Sequence, residues 1–112
     1  TAVLHNSIVA YNEAAAGIDA DDPSQQPDQT FTDVYGNLSG DFGAGLANPT
    51  GSLGNLSTVP QFLAFSDNGI PDDDDFHLDL ASPCVDAGDP LVFDADGSPS
   101  DMGAYGGADG GW

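Results

Sequence analysis

An all-β fold of short strands joined by many specific turns is what this sequence predicts, on three observations. Apolar and polar residues alternate in short runs, the period-2 signature of strands. Fifteen Gly and eight Pro interrupt those runs, and no apolar stretch approaches the roughly 18 residues of a membrane span. All but one of the nineteen acids are Asp, set beside Gly, Pro, Asn and Ser. Asp in such company bonds to nearby backbone amides and builds turns, whereas Glu, present only as Glu13, suits helices better.

The elements follow in order. Leu4, Asn6, Ile8 and Ala10 alternate with His5, Ser7, Val9 and Tyr11, and Asn12 closes this first strand. Glu13 and Ala14 to Ala16 offer a helical turn that Gly17 stops. Residues 19–29 form a polar, Pro-punctuated loop. A second strand, residues 31–35, ends at Gly36-Asn37, and a glycine-rich excursion over 40–54 leads to a third run, 56–65. Pro60 makes that run an edge or extended segment. In the fourth strand, 76–80, Phe76, Leu78 and Leu80 point inward and His77 and Asp79 outward. The early strands recur at intervals of roughly 20–30 residues, the spacing of a solenoid whose units bury their faces only by stacking. Because Thr1 stands in mid-pattern, the chain reads as a piece of a longer protein, whose upstream coils are expected to cover its first strand edge.

Composition excludes whole function classes. The chain has 112 residues, no Lys or Arg, and a formal charge of −19. Nothing neutralises phosphate, so nucleic-acid binding and attraction to anionic membranes are excluded. No arginine clamps a carboxylate and no amine forms a Schiff base. The partner suited to such a field is a divalent cation, Ca²⁺ first, whose ligands are carboxylate and carbonyl oxygens. Cys84 is single and reads as a buried small hydrophobe.

Several strings resemble a known family. Asn6-Ser7-Ile8-Val9-Ala10-Tyr11-Asn12, Val34-Tyr35-Gly36-Asn37 and Pro60-Gln61-Phe62 are similar to the last coils of bacterial right-handed parallel β-helix proteins. Phe76-His77-Leu78, Ser82-Pro83-x-Val85-Asp86-Ala87-Gly88-Asp89, Asp94-x-Asp96-Gly97-x-Pro99 and Asp101-Met102-Gly103-Ala104-Tyr105 resemble the terminal region of secreted "choice-of-anchor" proteins with a pectate-lyase-like fold. The resemblance spans roughly residues 3–107. It implies a right-handed parallel β-helix, its last two to three coils over 1–65, closed by a strand and an irregular, loop-rich C-terminal cap over 66–112. It also implies an extracellular or cell-surface setting in a bacterium. The family often carries a basic residue where Ser100 stands, which reads as the loss of a surface cation.

Two turns are candidate Ca²⁺ sites. Asp94, Asp96 and Asp101 bring three carboxylates into eight residues, with Asp86 and Asp89 within reach if the chain folds back; it is not an EF-hand, since Gly97 comes too early and no Glu closes the loop. The alternative is that these side chains satisfy turn amides, with Asp86 and Asp101 tying the closing segment down. Asp67 and Asp72, in Asp67-Asn68-Gly69-Ile70-Pro71-Asp72, form the second candidate; the string resembles the cores of calcium-loaded thrombospondin-type repeats without their upstream aspartates. A run of four Asp, 72–75, equally reads as a solvated loop. His5 and His77 lack a third ligand at useful spacing and read as strand-face histidines.

No catalytic residue and no organic cofactor is expected. Lyase chemistry on uronates in this fold uses Arg or Lys, which are missing. Asp21-Asp22 and Asp72 to Asp75 sit on Pro-rich stretches unsuited to the rigid placement that paired carboxylates need for hydrolysis. The functional expectation is a non-catalytic structural or adhesive segment, contacting polysaccharide or cell-surface matrix. The alternatives are an accessory part of a polysaccharide-degrading enzyme, lyase or glycoside hydrolase, and a carbohydrate-binding module. Exposed aromatics on one face would favour the last, although Tyr11, Tyr35 and Trp112 show no alignment in the sequence. Asn37-Leu38-Ser39 and Asn55-Leu56-Ser57 match the glycosylation sequon, which has little force in a bacterial chain.

Overall fold

Asn6 and Phe31 adopt positive φ, 49° and 48°, and each breaks a run the alternation joins. The first run is therefore two strands, β1 (Val3–His5) and β2 (Ile8–Ala10). The second is β3 (Asp28–Thr30) and β4 (Asp33–Tyr35), so β3 begins inside the stretch read as loop. A computed structural model describes residues 2–110. In it β1 pairs with β3, and β2 with β4, both in parallel and both at the same register offset, with Val3 opposite Asp28 and Ile8 opposite Asp33. Two L-shaped segments thus stack corner on corner. Left-handed φ is costly for a bulky residue, and Phe31 is held there from two sides. Its amide donates to Leu53 O at 3.0 Å, and its ring meets His5 edge-on at 5.8 Å. Gly54, at φ +76°, leaves the space that ring occupies.

The expected parallel β-helix is not what the described residues form. Their strands make three separate two-stranded sheets, and no closed or solenoid sheet runs through them. Above β4 the stack thins to an isolated bridge between Asp33 and Leu56. The chain then reverses: β5 (Phe62–Ala64) and β6 (Asp75–Leu78) pair antiparallel, with an irregularity between Phe62 and Ala64. Pro60 is buried and precedes a further left-handed residue, Gln61. The physical reason is that a solenoid needs each unit to continue the one before. Here the third unit is broken by a proline and a left-handed corner, and antiparallel pairing with β6 satisfies its backbone instead. Among the described residues the regular elements are these six short strands and two 3-10 turns, at Pro23–Gln25 and Pro71–Asp73.

Asparagines hold the stack. The Asn37 carboxamide accepts from Asn12 N at 3.1 Å and Asn12 Nδ2 at 2.7 Å, and donates to Val9 O and to Asp41. Asn55 donates to Gln29 O and Ser52 O and accepts from Thr32 N. Both are buried, with their carboxamides committed. The two sequon asparagines are therefore structural.

The core is small. Leu78, Cys84 and Met102 are buried together, and Ile8, Phe31, Leu56, Phe62, Val85 and Ala87 pack against them. Only part of the expected inward face of the fourth strand is realised. Leu78 is buried, Phe76 is exposed, and Leu80, beyond the strand's end, is exposed in a turn.

The C-terminal segment returns to the first corner. Asn6 Oδ1 accepts from Asp89 N at 2.7 Å, its Nδ2 donates to Ser100 Oγ at 3.0 Å, and its carbonyl accepts from Gly103 N at 2.9 Å. Ser100 is fully buried, so this is not a surface position and a long basic side chain would not fit it. Gly88 lies so close to Ser100 that a Cβ would meet its backbone oxygen at 2.7 Å.

Candidate functional site

The turn over 94–101 is built from carboxylates that face inward onto amides. Asp94 accepts from Asp101 N at 3.2 Å and from Gly107 N. Asp96 accepts from Ser98 N at 2.9 Å and Ser98 Oγ at 2.6 Å, and these bonds hold its carboxyl below the ordinary range. Asp101 accepts from Asp86 N at 2.8 Å, tying the closing segment down. Burial, then the charges of Asp94, Asp86 and Asp96, push its carboxyl up against that bond. Asp89 borders this turn through its carbonyl, which accepts from Ser100 Oγ at 3.4 Å, while its amide donates to Asn6 Oδ1 and its carboxyl faces His5.

At the second acidic stretch Asp73 accepts from Asn68 Nδ2 at 2.7 Å and Asp74 from Ser66 N at 2.9 Å. Asp72 is exposed in the 3-10 turn, and Asp67 is hydrogen-bonded to Glu13. Among the described residues no group of three His, Cys, Asp or Glu side chains converges as a metal site. Neither Asp94, Asp96 and Asp101 nor Asp67 and Asp72 is brought together in that way.

The histidines pair with acids. His5 Nε2 lies 3.3 Å from Asp89, and its Nδ1 lies 2.8 Å from Thr30 Oγ1. His77 Nδ1 lies 2.6 Å from Asp75, and its ring stacks on Tyr105 with centroids 3.6 Å apart.

Asp33 has no exposed surface. It accepts from Thr58 N at 2.9 Å and from the Cys84 thiol at 3.2 Å. Burial raises its carboxyl above the ordinary range, against the lowering effect of these bonds. The thiol is pushed up to about 12, by burial first and then by the Asp33 charge. A neutral buried thiol is a poor nucleophile, so this pair is a structural tie.

Aromatic side chains form the feature that sequence reasoning missed. Tyr11, at φ +59°, turns out of the stack and lies parallel to Phe65, with centroids 4.8 Å apart. Phe62 meets Phe76 edge-on at 5.3 Å, and Phe65 lies 6.2 Å from Phe76. Together with Ile8 and Gly103 these rings line an open groove of about 280 Å³. Phe65 and Phe76 are 39% and 41% exposed, so the rings are not simply core. Burial, then Tyr35 and Asp33, hold the Tyr11 phenol above its ordinary range, so it is neutral. A second, separate hollow shares the stacked Tyr11 and Phe65 and is lined by Asn12, Glu13, Gly36, Leu38 and Asp67. The hydrogen bond between Glu13 and Asp67, then the Asp67 charge, raises the Glu13 carboxyl.

Tyr11 and Tyr35 do lie together, edge-on at 6.1 Å; Trp112 lies outside the described residues. The available signal was that Tyr11 and Phe65 close their apolar runs, next to the ends of β2 and β5. Set against known proteins, the chain matches no family model, no curated protein and no solved structure, so the family resemblance rests on its quoted motifs alone.

Proposed function

We propose that the chain is a non-catalytic structural and adhesive segment, working outside the cell or at its surface, that offers the Tyr11–Phe65 groove to a ligand. The observation that carries this reading is the groove itself. Large rings left half open and contiguous on one face are the kind of apolar patch that folded proteins keep for binding. The acidic field suits display in a medium rich in cations, where salt screens its self-repulsion.

Catalysis is disfavoured by placement. Glu13 and Asp67 touch one another, whereas glycoside hydrolysis separates its two carboxyl groups by about 5 to 9.5 Å. With no Lys or Arg, elimination from uronates has neither its base nor its carboxylate neutraliser. A panel of sugars and small organic solutes, screened by ligand-detected NMR against the native chain and Phe65→Ala, tests the proposal. Ligands whose signal is lost in the variant support it. A panel with no signal above the variant, or unsaturated uronate released from pectate or alginate, overturns it.

A further inference from the structure

The first layer of the stack has an open edge. Asp28 N donates to Ala2 O and Asp33 N to Ser7 O, both at 2.9 Å. Parallel pairing alternates from residue to residue, so Leu4 and Val9 turn their backbone groups to β3 and β4, while Val3, His5, Ile8 and Ala10 turn theirs away. Among the described residues no hydrogen bond reaches the amides of those four. One layer on, Asp28 and Asp33 stand where Val3 and Ile8 do, and theirs are the amides that reach back. The asparagines repeat the asymmetry. Asn37 Oδ1 reaches back to Asn12 N and Asn55 Oδ1 to Thr32 N, whereas Asn12, its Nδ2 given to Asn37, has an Oδ1 that accepts nothing from the described residues. Val3 is 67% exposed at this edge, and Val34, inside the stack, not at all.

A row of free backbone groups is a template for another strand, and charge decides which strand. A second copy would bring a further formal charge of −19 against the first, and such fields repel. Glu13 stands just past the end of β2, and Asp89 faces His5 at the end of β1, in a chain with no Lys or Arg to neutralise them. We propose that a Lys- or Arg-bearing extended segment of a partner protein adds to the free edge of β1 and β2 as a parallel strand. Its carbonyls accept from the Val3, His5, Ile8 and Ala10 amides, one of its own amides donates to Asn12 Oδ1, and its cations lie toward Glu13 and Asp89. Main-chain bonds supply the hold, and charge selects the partner. The left-handed corner at Asn6 requires the added segment to bend between two short stretches. This edge offers backbone groups rather than rings, and it is available whether or not the Tyr11–Phe65 groove takes a ligand.

The probe is a peptide of two alternating Lys and Val stretches joined by glycine, added to the native chain in low salt while amide hydrogen exchange is followed residue by residue. The Val3, His5, Ile8 and Ala10 amides are expected to exchange fast in the free chain and to slow about tenfold with the peptide, whereas Leu4 and Val9 are slow in both. A peptide with Gln in place of Lys is expected to bind about tenfold more weakly, a gap that closes in high salt. A Lys peptide N-methylated at alternate residues keeps its charges, cannot pair as a strand, and should leave the four amides fast. Equal binding of the Gln peptide overturns the basic partner. Binding of the Lys peptide without slowing at the edge, or equal slowing by the N-methylated form, is contact by charge alone and overturns strand addition. No binding of the Lys peptide overturns both. Edge amides already slow in the free chain also overturn the proposal, a doubled mass then assigning the edge to a second copy and a monomer mass to cover within the chain.

Discussion

Asp33 accepts the Cys84 thiol at 3.2 Å across 51 positions of sequence. Both groups are fully buried, and the contact joins β4 to the segment that carries Met102, whose amide donates to Cys84 O at 3.0 Å. A carboxylate so placed costs desolvation free energy that its hydrogen bonds only partly offset. The pair therefore links the stability of the fold to pH and to thiol chemistry.

Cys84 should be unreactive in the native chain. With its thiol raised to about 12 and no exposure, a disulfide reagent near pH 8 is expected to react only as the chain opens. Addition of urea should convert a slow phase into a rapid one. Cys84→Ala removes a packed sulfur and a hydrogen-bond donor, and should cost about 1–3 kcal/mol in urea melts. Rapid native labelling would contradict the buried geometry.

The Asp33 carboxyl lies above its unfolded value. Between the two values the native chain keeps a proton that the unfolded chain has released. Its contribution is fully present below the ordinary carboxylate range and is lost as pH rises through the raised folded value. Asp33→Asn keeps an acceptor for Thr58 N and removes the charge. Its melting temperature should change less between pH 4 and 7 than that of the native chain, and a parallel dependence in both would count against this account.

Within one turn, Asp96 and Asp101 should titrate in opposite directions. Bonds from Ser98 hold Asp96 down, while burial pushes Asp101 up. The Asp96 contribution is present above the ordinary range and lost as pH falls through its lowered value; the Asp101 contribution runs the other way. Carboxyl-carbon shifts across a pH series measure both, and coincident midpoints would contradict the geometry.

Calcium should stabilise the chain through screening. Asp94 and Asp96 spend oxygens on the amides of Asp101, Gly107 and Ser98. Asp96→Ala is therefore expected to leave the gain from added Ca²⁺ unchanged, and equal Mg²⁺ to give a similar gain. Loss of that gain in the variant alone would restore a Ca²⁺ site at Asp94, Asp96 and Asp101.

Asn37→Ala should be the most damaging polar truncation in the stack. It removes a buried carboxamide that accepts from two Asn12 groups and donates to Val9 O and Asp41. A cost of about 2–4 kcal/mol follows from the loss of these bonds, against less for exposed Asn12→Ala. Equal effects would show that the ladder is not what holds the layers in register.

Local chemistry was legible in the sequence where it was carried by single residues. Asp beside Ser and Gly marked the turns, Pro60 marked a strand that does not sit inside a sheet, and lone Cys84 read as buried. Strand boundaries were less legible, because alternation continues through Asn6 and Phe31 while the backbone turns there. Propensity gives little hint that Phe31 will adopt a left-handed corner, since its edge contact with His5 and the room beside Gly54 arise only in the fold. The repeat spacing pointed to a solenoid, which the described residues do not form, because it could not show that Phe62–Ala64 would turn to pair with Asp75–Leu78. The groove was hidden for the same reason. Tyr11 and Phe65 are distant in sequence and meet only because that reversal places β5 against the end of β2.

Asn6 binds Asp89 and Ser100, 83 and 94 positions later. Loop closure over such a span must precede any gain from those bonds. During synthesis the first corner therefore waits on the ribosome with its carboxamide unmet until the stretch ending near Gly103 has emerged. Truncation before Ser100 would leave the early strands made and the last latch missing, a state for proteases and chaperones to find.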